Sequence, residues 1–83
     1  MAVRAYVLVQ TAPGRAKESL NLIKDLKLRE ARLLAADAVT GPYDLVATLE
    51  AEDLNALGTA VAEGIQNAEG VTRTTTCIAV EIL

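Results

Sequence analysis

Ala31-Arg32-Leu33-Leu34-Ala35-Ala36-Asp37-Ala38-Val39-Thr40-Gly41-Pro42-Tyr43-Asp44-Leu45-Val46-Ala47-Thr48-Leu49 is the stretch whose reading decides the fold. Two apolar runs flank Gly41-Pro42, and the chain must break there because proline fixes its own φ and has no N–H to donate. Downstream, Leu45 to Leu49 predicts a strand. Upstream, Ala31 to Val39 predicts another, although Leu33, Leu34, Ala35 and Ala36 taken alone fit a helix equally well. Read as two strands, the runs form a hairpin in the middle of the chain.

Towards the N-terminus, Val3 to Gln10 alternates with period two: Val3, Ala5, Val7 and Val9 point one way, and Arg4, Tyr6, Leu8 and Gln10 the other. Thr11-Ala12-Pro13-Gly14 is turn chemistry, and from Arg15 to about Leu26 the apolar residues Ala16, Leu20, Ile23 and Leu26 recur at helical spacing. Beyond the hairpin, Asp53 can cap a second helix with Leu54, Leu57, Val61, Ile65 and Ala68 on one stripe, ending near Gly70. Gly58 and Gly64 fall inside it, each unfavourable by about 0.8 to 1 kcal/mol against alanine, so close packing is their expected role. Val71 to Ile82 predicts the last strand, with Thr74-Thr75-Thr76 followed by alternating Ile78, Val80 and Ile82. The order β-α-β-β-α-β predicts an α+β, ferredoxin-like domain: a four-stranded antiparallel sheet with both helices on one face. The other face keeps Tyr6, Leu8 and one set from the last strand, and a second subunit is its natural cover.

Composition narrows the function. The 83 residues hold one domain, 52% hydrophobic, with Tyr6 and Tyr43 as the two aromatics, so the core is built from Leu, Val, Ile and Ala. A monomer of this size removes only about 60 to 65% of its unfolded surface from water, and stability then calls for a metal, disulfides or partner subunits. With no histidine and the single cysteine Cys77, no metal, cofactor or intrachain disulfide is expected, which leaves self-association. Cys77, among strand residues, is expected to be a small buried hydrophobe that reacts only if exposed. Net charge is −3 and the eight basic residues are scattered from Arg4 to Arg73, so no direct DNA binding is expected. Neither a signal peptide nor a membrane span is visible from Met1 onward, and a cytoplasmic protein is expected.

These residues resemble the effector-binding domain of the Lrp/AsnC transcriptional regulators, called the regulation of amino acid metabolism (RAM) domain. The resemblance spans nearly the whole chain: the strand from Ala5 to Gln10, Pro13-Gly14, Val39-Thr40-Gly41-Pro42-Tyr43-Asp44, Asp53-Leu54 and Gly70-Val71-Thr72-Arg73-Thr74-Thr75-Thr76. Thr-Gly-x-Tyr-Asp and Gly-Val-x-Arg-Thr-x-Thr are its specific signatures. It implies dimers built through the sheets, rings of several dimers, and an amino acid bound where dimers meet. Members of the family carry an N-terminal helix-turn-helix that reads DNA, whereas here Met1 stands immediately before the first strand; the chain resembles the stand-alone version, one domain over 1–83. Any influence on transcription is then expected through full-length Lrp/AsnC partners.

An amino acid offers an ammonium and a carboxylate, so its site needs an anion close to several donors. Asp44 can take the ammonium, while backbone N–H groups near Gly41 and Tyr43 and the hydroxyls of Thr74 and Thr76 can face the carboxylate. Spacing alone favours a plain turn in which Asp44 bonds its own backbone. The resemblance favours the site, with Thr40, Gly41, Tyr43, Asp44, Thr74 and Thr76 as its residues. Alternation puts Thr74 and Thr76 on one face and Thr75 on the other. An enzyme of the dimeric α+β barrel kind lacks an evident constellation without histidine or a cofactor fingerprint. A purely structural oligomer shares every predicted feature of the fold, and ligand response is what separates it from a sensor.

Overall fold

The computed structural model describes residues 2–80. In chain order the elements are β1 (Val3–Thr11), α1 (Ala16–Lys24), β2 (Ala31–Ala38), β3 (Leu45–Ala51), α2 (Leu54–Glu63), a 3-10 turn at Ile65–Asn67, and β4 (Val71–Ile78). The four strands pair antiparallel in the order β2-β3-β1-β4, the ferredoxin-like arrangement that the alternation and the Gly-Pro break predict.

Register explains the core. Ala5 pairs with Leu49, Val7 with Ala47 and Val9 with Leu45, and all six side chains are buried. Ile23 from α1, Leu57 and Val61 from α2, and Ile65 from the 3-10 turn join the same cluster, so both helices lie on this one side of the sheet. The other set of β1 remains open: Tyr6 is exposed and Leu8 half-buried, beside the half-buried Val46 of β3.

The helix region carries four corrections. α1 starts at Ala16 and ends at Lys24, and its most buried residue besides Ile23 is Ser19, whose hydroxyl donates to the Glu69 carbonyl at 2.7 Å. The apolar stripe predicted to run as one helix to Gly70 divides after Glu63, because Ile65–Asn67 winds as a 3-10 turn. Asp53 caps α2 as expected, its carboxylate accepting the Ala56 N–H at 2.8 Å, but Leu54 is 61% exposed, and Ala56 and Ala60 are buried beside Leu57 and Val61. Of the two glycines, Gly64 meets its packing role: a Cβ there would stand 2.5 Å from Leu28 Cδ2 and 2.7 Å from the Ala60 carbonyl. Gly58 does not, since a Cβ there meets nothing within 4 Å.

The two sheet edges differ. In β2 the pairing passes from Leu33–Leu49 to Ala35–Thr48, which leaves Leu34 as a bulge, and Arg32 and Asp37 add charge to this strand. Arg32 pairs with Glu50 across the ladder at 2.9 Å. From Thr74 to Ile78, β4 carries no charge and, among the described residues, bonds only to β1. β4 stops at Ile78, Val80 lies outside it, and the predicted Ile82 falls outside the described residues.

Gly70 closes the fold. Its φ of 92° lies where side-chain-bearing residues are strained, and a Cβ would collide with the Ser19 hydroxyl and stand 3.1 Å from Arg15 Cβ. Arg15 also pairs with Glu18 at 2.8 Å and Glu69 at 3.1 Å; these hydrogen bonds, Glu18's foremost, hold the guanidinium in its charged form, though so exposed a network adds little stability. Substituting alanine at the two kinds of glycine is therefore expected to give opposite signs. Gly70→Ala should lower unfolding free energy by about 1–3 kcal/mol through strain, and Gly58→Ala, in open helix, should raise it by about 0.5–1 kcal/mol. Urea unfolding followed by circular dichroism measures both; equal effects would contradict the distinction.

Candidate ligand-binding site

The 40–44 turn sits at the end of the sheet where β1 finishes and β4 begins. Its backbone is closed by the Val39 N–H donating to the Asp44 carbonyl and the Asp44 N–H donating to the Val9 carbonyl, both at 2.9 Å. Gly41 has φ of 132°, a conformation open to glycine and costly for other residues, so the Gly-Pro pair is what lets β2 reverse into β3 here. Gln10 pins the turn from below: its Nε2 donates to the Pro42 carbonyl at 3.1 Å, while its own carbonyl accepts the Thr72 hydroxyl at 3.1 Å.

Asp44 is half-buried, and Oδ2 accepts both the Thr11 N–H at 2.8 Å and the Thr11 hydroxyl at 3.3 Å. The carboxylate thus ties the turn to the end of β1, 33 residues away in sequence, instead of bonding its own turn. Among the described residues Oδ1 makes no hydrogen bond within the chain. Tyr43 leans towards β4, its hydroxyl 3.5 Å from that of Thr75, at the outer limit of a hydrogen bond.

The sheet divides the residues that sequence grouped together. Thr74 and Thr76 pair with Val9 and Val7, which puts them on the helix side, and Thr74 accepts a hydrogen bond from Gln66 Nε2 at 3.0 Å. Thr75 pairs with Leu8 on the open side, next to Tyr43. Thr40, Gly41, Tyr43 and Asp44 stay together on the turn, and a shallow polar groove along β4, lined by Gln66, Val71, Thr72, Arg73 and Thr74, does not include Asp44. Gln10, Thr11 and Thr75 are the contributors that the sequence did not single out. Their signal is register: each is polar and lies at the sheet end facing the turn.

Cys77 corrects its expectation. It pairs with Tyr6 on the open face and is exposed, so it is no part of the core. Among the described residues no group of three or more His, Cys, Asp or Glu side chains could hold a metal ion, and no helix is long and apolar enough to cross a membrane.

Comparison with known proteins agrees with this architecture. A protein from Thermus thermophilus, TTHA0845, superposes with a TM-score of 0.83 at 33% identity, covering 98% of this chain and 96% of that one. FFRP-DM1 superposes with a TM-score of 0.81 at 28% identity, over 94% and 99% of the two chains. AsnC of E. coli shares the fold at 17% identity and a TM-score of 0.83, with 96% of this chain covering 52% of that longer protein. Among curated proteins none matches. The family model described as the Lrp/AsnC ligand binding domain matches residues 4–83, and the chain belongs to that family.

Proposed function

We propose that this domain binds a free amino acid at the 40–44 turn and acts as a regulatory and oligomerisation module without catalytic activity. The observation that carries the reading is membership of a ligand-binding domain family over residues 4–83. A transcriptional regulator of Neisseria meningitidis with the same fold, at 18% identity and a TM-score of 0.78, has been solved as a complex with L-Met. That ligand class suits the turn. Asp44 offers a half-buried carboxylate with one oxygen uncommitted among the described residues, and a partly desolvated anion is a strong partner for an ammonium. Thr40, Gly41 and Tyr43 supply the surrounding backbone and ring. Thr74 and Thr76, on the helix side, enter such a site only from a neighbouring subunit.

The exposed Tyr6 and half-buried Leu8 and Val46 support a dimer through the open sheet face, with dimers then joining into larger rings around the turns. Acting in the cytoplasm, this domain would reach promoters through full-length Lrp/AsnC partners, since a net charge of −3 gives it no footprint for DNA. A structural oligomer without ligand is the second reading, favoured by the engagement of Asp44 Oδ2 with Thr11.

A thermal-shift screen against the twenty amino acids separates the two: a sensor should gain about 2.7 kcal/mol at a hundredfold excess over Kd, and silence across the panel supports the structural oligomer. Light scattering at low micromolar concentration should return at least twice the 8.8 kDa chain mass; the monomer mass would contradict the dimer. Asp44→Asn tests the site itself, because the amide keeps an acceptor for Thr11 and loses the charge. Calorimetry of the variant with the amino acid found by screening should show affinity weakened by about 2–5 kcal/mol, while stability falls by no more than the roughly 0.5–1.5 kcal/mol of one hydrogen bond.

A further inference from the structure

β4 turns a regular row of backbone groups outward. On β1 the odd positions bond towards β3, as the Asp44 N–H donating to the Val9 carbonyl shows, and the even positions bond towards β4, as the Ala79 N–H donating to the Arg4 carbonyl shows. Tyr6, Leu8 and Gln10 pair with Cys77, Thr75 and Arg73, so those three residues of β4 direct their backbone groups to β1. Thr74, Thr76 and Ile78 alternate with them. Their N–H and C=O groups point out in the plane of the sheet, where no strand among the described residues meets them.

The strand that fits this edge is a second β4. β1 and β3 are bonded on both flanks, and β2 is bulged at Leu34 and charged at Arg32 and Asp37. Set antiparallel about a two-fold axis at Thr76, two copies of β4 place Thr76 against Thr76 and each Thr74 against Ile78 of the other copy. Every outward residue then enters a pair that exchanges two N–H···O bonds. Sliding the copies by two residues pushes a pair onto the ladder irregularity next to Arg73 or beyond Ile78, where β4 stops. No charges oppose one another, since Thr74 to Ile78 carries none. The two ends of the strand also differ in a complementary way. Ile78 is 41% exposed and lies on the helix side with Thr74, which lines the groove shared with Gln66, Val71 and Thr72, so the apolar end of one copy meets the groove end of the other. We propose that two copies of the chain join through their β4 edges in this register, merging their four-stranded sheets into one. The joint lies in the sheet plane, so the open face stays available to its own partner and no ligand is required.

Sedimentation of the full chain without added amino acid tests this with two charge variants. Thr76→Lys sets two ammonium groups against each other on the two-fold axis and Thr76→Glu two carboxylates, so each variant alone should form particles of about half the wild-type mass or less. Mixed in equal amounts, the variants should return to the wild-type mass, a recovery that mere loss of stability does not produce. Wild-type mass in either folded variant alone overturns the proposal, and so does a mixture that stays small; both outcomes leave the amino-acid reading standing. Should the variants not fold, Thr75→Cys decides. This register sets position 75 opposite Cys77 of the other copy in a non-hydrogen-bonded pair, about 4.5 Å apart at Cα, where a disulfide can close. Under diamide the variant should become a covalent pair about tenfold faster than the wild type, whose two Cys77 residues are only diagonal neighbours; equal rates overturn the edge pairing.

Discussion

Ala5, Val7 and Val9 are wholly removed from water, and the burial of these three side chains orders the rest of the domain. A strand sends successive side chains to opposite sides, so their burial commits Arg4, Tyr6, Leu8 and Gln10 to the other face. β3 and β4 bond to the two flanks of β1 and inherit its phase. Each buried valine contributes about 1.5–3 kcal/mol, and a slip of one residue would exchange that set for one containing Arg4 and Gln10, so the register has a single solution. The position of the 40–44 turn is a consequence, because Asp44 and Pro42 are held by Thr11 and Gln10 at the end of that same strand.

Much of this is legible in the sequence. Period-two alternation identifies β1, Gly41-Pro42 identifies the reversal, and Asp53 marks the start of α2. The ambiguity of Leu33 to Ala36 has a physical origin: the bulge at Leu34 inserts a residue, and adjacent apolar side chains imitate a helix. The end of α2 is hidden for a related reason. Leu57, Val61 and Ile65 keep the four-residue spacing of an α-helical stripe, and the 3-10 turn begins only at the last of them, so the apolar pattern cannot reveal where one winding gives way to the other. Ser19 is invisible as a core residue because its burial depends on a carbonyl 50 positions away.

The candidate site was legible only up to the sheet. Sequence correctly separates Thr74 and Thr76 from Thr75, but which set faces Tyr43 depends on how β4 docks on β1, a relation between residues more than 60 positions apart. Cys77 follows the same logic, taken to the open face by pairing with Tyr6. Asp44 shows the opposite case, in which a local turn signature conceals a distant partner. Its carboxylate serves the fold through Oδ2 while Oδ1 makes no hydrogen bond among the described residues, so the binding role proposed for Asp44 does not compete with its bond to Thr11.

The unlike edges of the sheet limit how copies of this chain can accumulate. Unlimited growth by strand addition needs a receptive edge at each end of every sheet, so that each newcomer offers the next a template. Here the bulge at Leu34 and the charges of Arg32 and Asp37 blunt β2, whereas β4 is smooth and uncharged from Thr74 to Ile78. A copy that docks on β4 by its own β4 presents only blunted β2 edges outward, and propagation ends at that pair. Strand-by-strand growth into a fibre is thus opposed at one edge of every copy by the geometry of a single inserted leucine and two charges.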